Sequence, residues 1–144
     1  MNILIKQATI VDPSSPLNGQ VTDIFIENGI ITQTGKSLTN KADKEIAVEG
    51  LFVSPDWVDV FANFADPGYE HKETLETGAA AAAAGGYTDV FIIPNTNPVL
   101  HNKAGVEYIV QKSKTLPVTI HPIGAITRNT EGKELAEMYD MKSS

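Results

Sequence analysis

Cysteine is absent from this 144-residue chain, so disulfides and thiolate metal sites are excluded. Basic residues are few, since eleven Lys and Arg stand against eighteen Asp and Glu, and the net charge is −7. That balance argues against nucleic acid or an anionic membrane surface as a partner. Long apolar runs are missing, and Met1–Lys6 contains no basic leader before an apolar core. We therefore expect an unprocessed cytoplasmic protein with no membrane partner.

Residues 1–53 have the pattern of a small β-sheet module. Short apolar strands alternate with breakers, and Asn28-Gly29 is typical of a two-residue hairpin turn because both residues tolerate a positive φ. No helical periodicity occurs in this part of the chain. The predicted strands are Ile3–Ile5, Ala8–Val11, Asp23–Glu27, Ile30–Thr34 and Glu45–Val48.

Residues 54–144 change to alternating strands and helices, the pattern of parallel βα units. The first predicted helix ends at Gly85-Gly86, and Asn102 is placed to cap the second helix. The predicted strands are Trp57–Phe61, Thr88–Ile93 and Val118–Ile120, and the predicted helices are Glu73–Ala84, one that begins after Asn102, and Gly132–Met141. The fold class expected from these patterns is α/β.

Several blocks of this sequence resemble dihydroorotases of the cyclic amidohydrolase group. The blocks that carry the resemblance include Asp59–Gly68 (DVFANFADPG), Pro94–Pro98 (PNTNP) and Pro122–Thr127 (PIGAIT). The resemblance covers the N-terminal part of the family and implies part of a β-sandwich followed by the opening βα units of a TIM barrel. A complete (β/α)8 barrel needs roughly 250 residues, so the barrel expected here is incomplete.

The family's chemistry is missing from the first of these blocks. In the family, this strand carries a zinc-binding His-x-His pair and, two residues later, an arginine that holds the substrate carboxylate. The corresponding residues here are Phe61, Asn63 and Ala65. Phenylalanine cannot bind a metal, and the neutral oxygen of asparagine is a poor zinc ligand. We therefore predict no catalytic residue, no metal ligand and no cofactor in this chain. The family's other ligands lie on strands beyond Ser144.

Three polar residues near these positions have more than one interpretation. Asp59 is either a carboxylate that orients a metal ligand or a residue that bonds the nearby backbone. Asp66 matches an acidic position of the family loop, but an aspartate before Pro-Gly is also a turn former. Asn95 matches the family asparagine that contacts the substrate carboxylate, or it bonds the backbone of its own loop. Without the arginine, Asn95 would hold an anionic substrate weakly.

The three histidines are also candidates for a metal site. His71 and His101 follow the first and second predicted strands, and His121 ends the third, so all three belong to the rim where a barrel builds its chemistry. No two of them have His-x-His or His-x3-His spacing. We interpret them as solvated or hydrogen-bonded loop residues, with a rearranged metal site as the alternative.

Two hypotheses about function follow from the resemblance. The first is a non-catalytic dihydroorotase homologue of de novo pyrimidine biosynthesis, which associates with itself or with a carbamoyltransferase-type partner. The second is an active dihydroorotase or related cyclic amidohydrolase, which interconverts N-carbamoyl-L-aspartate and dihydroorotate with a metal bound by later strands. The loss of both histidines and the arginine favours the first hypothesis.

Overall fold

A computed structural model describes all 144 residues, which divide into two compact units, 1–55 and 56–144. The sequence pattern predicts the boundary between the β-sheet module and the βα units at residues 53 and 54, two residues earlier. None of the helices is long and apolar enough to cross a membrane. The cytoplasmic location stays a prediction.

The first unit is a five-stranded sheet in the order β3-β2-β1-β4, with β5 also paired to β1. Its strands are β1 (Asn2–Ile10), β2 (Val21–Glu27), β3 (Ile30–Gly35), β4 (Lys44–Ala47) and β5 (Phe52–Val53). Asn28 and Gly29 have φ values of 51° and 83° and join β2 to β3, as the hairpin prediction required. The second layer of a β-sandwich, implied by the resemblance, stays a prediction.

The first strand is longer than the sequence pattern indicated. The two predicted strands Ile3–Ile5 and Ala8–Val11 are one strand, β1, whose register shifts between Ile5 and Ala8. Gln7 lies at that bulge with a φ of 52°, and its N–H donates to the buried Asp23 carboxylate at 2.8 Å. The carboxylate supplies the bond that the bulged backbone cannot make within the ladder, so the strand continues.

The second unit consists of parallel βα units. Strands β6 (Trp57–Ala62), β7 (Tyr87–Ile92) and β8 (Thr119–Pro122) form a parallel sheet in the order β6-β7-β8. Helices α1 (Leu75–Ala84) and α2 (Lys103–Ser113) connect them, and α3 (Met138–Lys142) follows β8. The α/β prediction is confirmed. The core consists of Ala62, Phe64, Leu75, Ala79, Val90, Ile92, Leu100, Ile109, Val118 and Ile120.

Local capping sets where the first two helices begin. Thr74 caps α1 through a capping box with Thr77, so the helix begins at Leu75 and not at Glu73 as predicted. Asn102 caps α2 as expected, since its side-chain oxygen accepts the Gly105 N–H at 3.0 Å.

The predicted helix Gly132–Met141 is wrong in most of its length. Leu135 bridges to Thr127, and the Ala136 N–H donates to the Ile126 carbonyl at 2.9 Å. Gly132 has a φ of 71°, which turns the chain back into this short hairpin. The Glu134 carbonyl and the Ala136 N–H thus bond the backbone of residues 126–128, and within the predicted range the helix α3 begins only at Met138.

Candidate functional site

The carboxyl ends of β6, β7 and β8 lie along one edge of the parallel sheet, where the candidate residues were predicted. Phe61 lies near the end of β6 and is 72% exposed. Its N–H donates to the Asp59 carboxylate at 2.9 Å, so Asp59 bonds the backbone of its own strand end. Phe61 has no atom that can bind a metal, and Asp59 has no histidine on this strand to orient.

Asn63 and Asn95, which are far apart in sequence, meet at this edge. The Asn95 side-chain amide donates to the Asn63 side-chain oxygen at 2.6 Å, and both residues are exposed. The structure therefore joins the second metal-ligand position of the family pattern to the predicted substrate contact. We refer to Asn63 and Asn95 as the carboxamide pair.

Ala65, at the position of the family arginine, is buried and offers only a methyl group. The next residue, Asp66, is fully buried and does more than form a turn. Its carboxylate accepts the N–H of Leu75 at 3.2 Å, the hydroxyl of Tyr108 at 3.0 Å and the ammonium of Lys112 at 2.6 Å. Asp66 therefore ties the loop after β6 to the start of α1 and to the side of α2.

The electrostatics of Asp66 follow from these contacts. Burial raises the pKa of the Asp66 carboxyl, but the bonds from Lys112, Leu75 and Tyr108 outweigh burial, and the pKa lies below its ordinary value. The Asp66 carboxylate correspondingly raises the pKa of Lys112. Both groups are thus held in their charged forms, which suits a structural ion pair and not a proton-transfer residue.

The loop after β6 also packs closely on the loop after β7. Gly68 has a φ of 99°, and a Cβ at this position would overlap the carbonyl oxygen of Asn97. The Asn97 N–H donates to the Pro67 carbonyl at 2.9 Å. This contact holds together the two loops that carry Asn63 and Asn95, so the geometry of the carboxamide pair depends on glycine at position 68.

The three histidines do not form a site together. His71 is exposed and makes an edge contact with the Tyr69 ring at 6.3 Å. His101 is half-buried, and its Nδ1 is buried without a hydrogen-bond partner in the chain. His121 Nε2 lies 2.7 Å from the Asp89 carboxylate. No group of three His, Asp or Glu side chains is placed to hold a metal ion.

Sequence reasoning missed Asp89 and Phe91 on β7. The His121 ring stacks on the Phe91 ring with centroids 4.6 Å apart, and these two residues are register partners. Hydrogen bonds from His121 and Thr88 lower the pKa of Asp89. The alternation along β7 indicates that Asp89 lies on the face opposite to the apolar Val90 and Ile92. Its partner on β8, His121, follows only from the tertiary structure.

The zinc ion implied by the resemblance does not fit the residues of this edge. Zinc takes imidazole, thiolate or carboxylate ligands. At the two strand positions, the chain supplies a phenyl ring and a carboxamide oxygen that already accepts a hydrogen bond. The imidazole of His121 is bonded to the Asp89 carboxylate, and no third His, Asp or Glu side chain joins these two in a group that could hold a metal ion.

Comparisons with known proteins identify what this chain resembles. A family model described as dihydro-orotase-like matches residues 50–144. The dihydroorotase of Geobacter sulfurreducens is 44% identical over 146 residues, covering 100% of this chain and 34% of that protein. The dihydroorotase of Acetivibrio thermocellus is 44% identical over 141 residues, covering 97% of this chain and 33% of that protein. The chain thus spans about a third of the length of these relatives.

Solved structures share the fold. The L-hydantoinase of Arthrobacter aurescens matches with a TM-score of 0.74 at 20% identity, over 87% of this chain and 28% of that one. A D-hydantoinase matches with a TM-score of 0.66 at 27% identity, over 90% of this chain and 29% of that one. These neighbours are amidohydrolases of the TIM-barrel fold, and this chain covers part of that fold.

Proposed function

The chain belongs to the dihydroorotase-like family, and we propose that it is a member that has lost zinc-dependent hydrolysis and serves de novo pyrimidine biosynthesis as a structural or assembly component. Its place in pyrimidine biosynthesis is supported by the dihydroorotases that match the whole chain. The loss of hydrolysis is argued from this chain's own side chains.

The carboxamide pair is the observation that carries this proposal. A catalytic zinc needs ligands with free lone pairs and an open position for water. The Asn63 oxygen already accepts the Asn95 amide at 2.6 Å, so one of its two lone pairs is occupied, and the other would offer a cation only a weak neutral ligand. Phe61 adds no ligand at all, and Ala65 supplies no positive charge for an anionic substrate.

An assembly role is supported by the open edge of the second sheet. Strand β6 pairs only with β7, and three of its apolar side chains, those of Trp57, Val58 and Val60, are exposed. An apolar edge strand favours pairing with another chain. We propose that the partner is a second copy of this chain or a carbamoyltransferase-type protein.

Metal content and hydrolysis together test the loss of activity. We expect no stoichiometric zinc in protein purified without chelators, and no ring opening of dihydroorotate or ring closure of carbamoyl aspartate. Asn63→Ala is the matched variant, because it removes the only side-chain oxygen at the two ligand positions. One zinc per chain that disappears in Asn63→Ala would contradict the proposal, and turnover with that zinc would establish the alternative, an active cyclic amidohydrolase.

A further inference from the structure

A groove lies on the sheet of the first unit, between the bulge of β1, the start of β2 and the segment that follows β3. Its volume of about 830 Å3 is within the ~300–1,000 Å3 range of small-molecule sites. All of its lining residues belong to the first unit. Asp23 is the only acidic residue of the lining, whereas Lys6 and Lys36 are both basic.

The two faces of this sheet differ in character. Ile3 and Ile5 on β1 are register partners of Ile26 and Ile24 on β2, so one face is rich in isoleucine. Lys6 alternates with Ile5 and lies on the opposite face, where it lines the groove. A second protein layer would bury more apolar area on the isoleucine face, so the groove is the surface better suited to a small molecule.

One wall of the groove is the segment 36–39, which Leu38 holds against the sheet. The Leu38 N–H donates to the buried Asp23 carboxylate at 2.9 Å, and the Leu38 carbonyl accepts the Lys6 ammonium. The Asp23 carboxylate also accepts the Lys6 ammonium at 3.2 Å and the Gln7 N–H at 2.8 Å. The wall is thus fixed by bonds within the chain, and a ligand would not have to order it.

The donors beside Leu38 are not used within the chain. The buried carboxylate neutralises Lys6, whereas Lys36 has no acidic partner. The side chains of Gln7, Ser37 and Thr39 also line the groove and make no hydrogen bond within the chain. The groove therefore offers one uncompensated positive charge and three neutral donors, although the chain as a whole carries a net charge of −7.

Apolar side chains complete the lining. Val21 is 53% exposed, and Leu38 and Ala47 line the groove with it. A single free ammonium holds one anionic group through charge-assisted hydrogen bonds. The apolar surface beside it favours a ligand that also carries a hydrocarbon body.

We propose that this groove binds a small organic acid, with its carboxylate at Lys36 and its apolar body along Val21 and Leu38. The ligand is bound and not turned over. The site is independent of the loss of zinc-dependent hydrolysis, because none of its residues belongs to the second unit.

Three probes test the chemistry of the site, each titrated into the 15N-labelled chain and followed by its backbone amide signals. Hexanoate should bind with a Kd on the order of 1 mM and shift the signals of Gln7 and of residues 36–39. Hexanamide has no charge and acetate has no apolar body, so each should bind at least about fivefold more weakly. Added salt should weaken the binding of hexanoate, since Lys36 is exposed.

Three results of these titrations would overturn the proposal. The first is equal binding of hexanoate and hexanamide, which would show that the charge of Lys36 is not used. The second is a set of hexanoate shifts confined to the second unit. The third is the absence of saturable shifts at about ten times the expected Kd.

A lysine variant locates the carboxylate in the groove. Lys36→Gln should weaken hexanoate binding by at least about fivefold and leave hexanamide binding unchanged, because it removes the uncompensated charge. Lys41→Gln is the matched control, since Lys41 is an exposed lysine of the same unit that has no acidic partner and lies outside the groove. Equal hexanoate affinity in wild type and Lys36→Gln at unchanged melting temperature would refute the site. Equal weakening by both variants would also refute it, because net charge alone would then explain the effect.

Discussion

Lys112 on α2 reaches the fully buried carboxylate of Asp66 in the loop after β6, with Nζ and Oδ2 2.6 Å apart. The two residues are 46 positions apart in the sequence, and the Lys112 side chain keeps 30% of its surface exposed. Lys112 also lies 3.6 Å from Glu76 in the first turn of α1. One ammonium group thus joins the loop after β6, α1 and α2.

Replacing Asp66 with asparagine should destabilise the protein by about 2–4 kcal/mol, because it removes one partner of a buried ion pair. The measurement is the free energy of unfolding in urea at pH 7. Glu107→Gln is the control, since the exposed pair of Glu107 with Lys103 should contribute only about 0.3–0.5 kcal/mol. Equal losses of unfolding free energy in the two variants would show that the buried Asp66–Lys112 ion pair contributes no more than an exposed pair.

The stability contributed by this pair should depend on pH in a defined direction. The pKa of Asp66 is lowered in the folded state, so its contribution is present above the unfolded value of about 4 and is lost as the pH falls through the lower folded value. The pKa of Lys112 is raised, so its contribution is present below about 10 and is lost only as the pH rises through the higher folded value.

We therefore expect the difference in unfolding free energy between wild type and Asp66→Asn to be constant between pH 5 and 9 (about one unit inside both limits) and to shrink below about pH 4. Urea titrations at several pH values measure it. A difference that grows on acidification would contradict the assigned direction.

Gly68→Ala should destabilise the protein by about 2–5 kcal/mol, because alanine at a φ of 99° is strained and its Cβ would overlap the Asn97 carbonyl. Gly132→Ala is the matched control. Its φ is also positive, at 71°, but a Cβ there meets nothing, so it should cost only about 1–2 kcal/mol. Thermal melts of both variants compare the two costs, and equal shifts would rule out the loop contact.

Gly78→Ala should have two opposing effects on the stability of α1. Alanine gains about 1 kcal/mol of helix propensity over glycine, but its Cβ would lie 2.7 Å from the Phe64 ring, and overpacking costs about 1–3 kcal/mol. We expect a net loss in the wild-type background and a smaller loss, or a gain, in Phe64→Leu. A double-mutant cycle measures this coupling. If the stability changes of Gly78→Ala and Phe64→Leu are additive, the Phe64 ring is not what makes alanine unfavourable at position 78.

Zinc binding and hydrolysis should return only when all three family side chains are restored together. In a fusion of this chain to the remaining two thirds of the Geobacter sulfurreducens dihydroorotase, Phe61→His, Asn63→His and Ala65→Arg together should give zinc binding and measurable ring opening. Each single change should do little, since groups that act as a unit are not additive. The unsubstituted fusion is the control, and activity restored by one substitution would show a less complete loss.

The chain should associate in solution through the open β6 edge, burying on the order of 1,600 Å2. Sedimentation at micromolar concentration, alone and with an aspartate carbamoyltransferase, measures this. Val58→Lys should weaken association because a lysine on an edge strand opposes pairing. A compact monomer that melts cooperatively and binds no hydrophobic dye would contradict the assembly role.

Some features of this protein could be read from short stretches of sequence. Asn28-Gly29 fixes the β2–β3 turn, Asn102 starts α2, and the periodicity after Trp57 separates strands from helices, because each depends on local backbone preferences and side-chain spacing. The replacement of the family's two histidines and arginine by Phe61, Asn63 and Ala65 could also be recognised from the sequence, because the surrounding blocks keep the family pattern.

Other features were decided by tertiary structure alone. Asn63 meets Asn95 across 32 positions, and Asp66 meets Lys112 across 46, because parallel strands and packed helices bring distant loops together. Neither contact leaves a periodic signal in the sequence. The hairpin around Thr127 and Leu135 replaced a predicted helix for the same reason, since hydrogen bonds between two backbone segments overrode the local helical preference of residues 132–137.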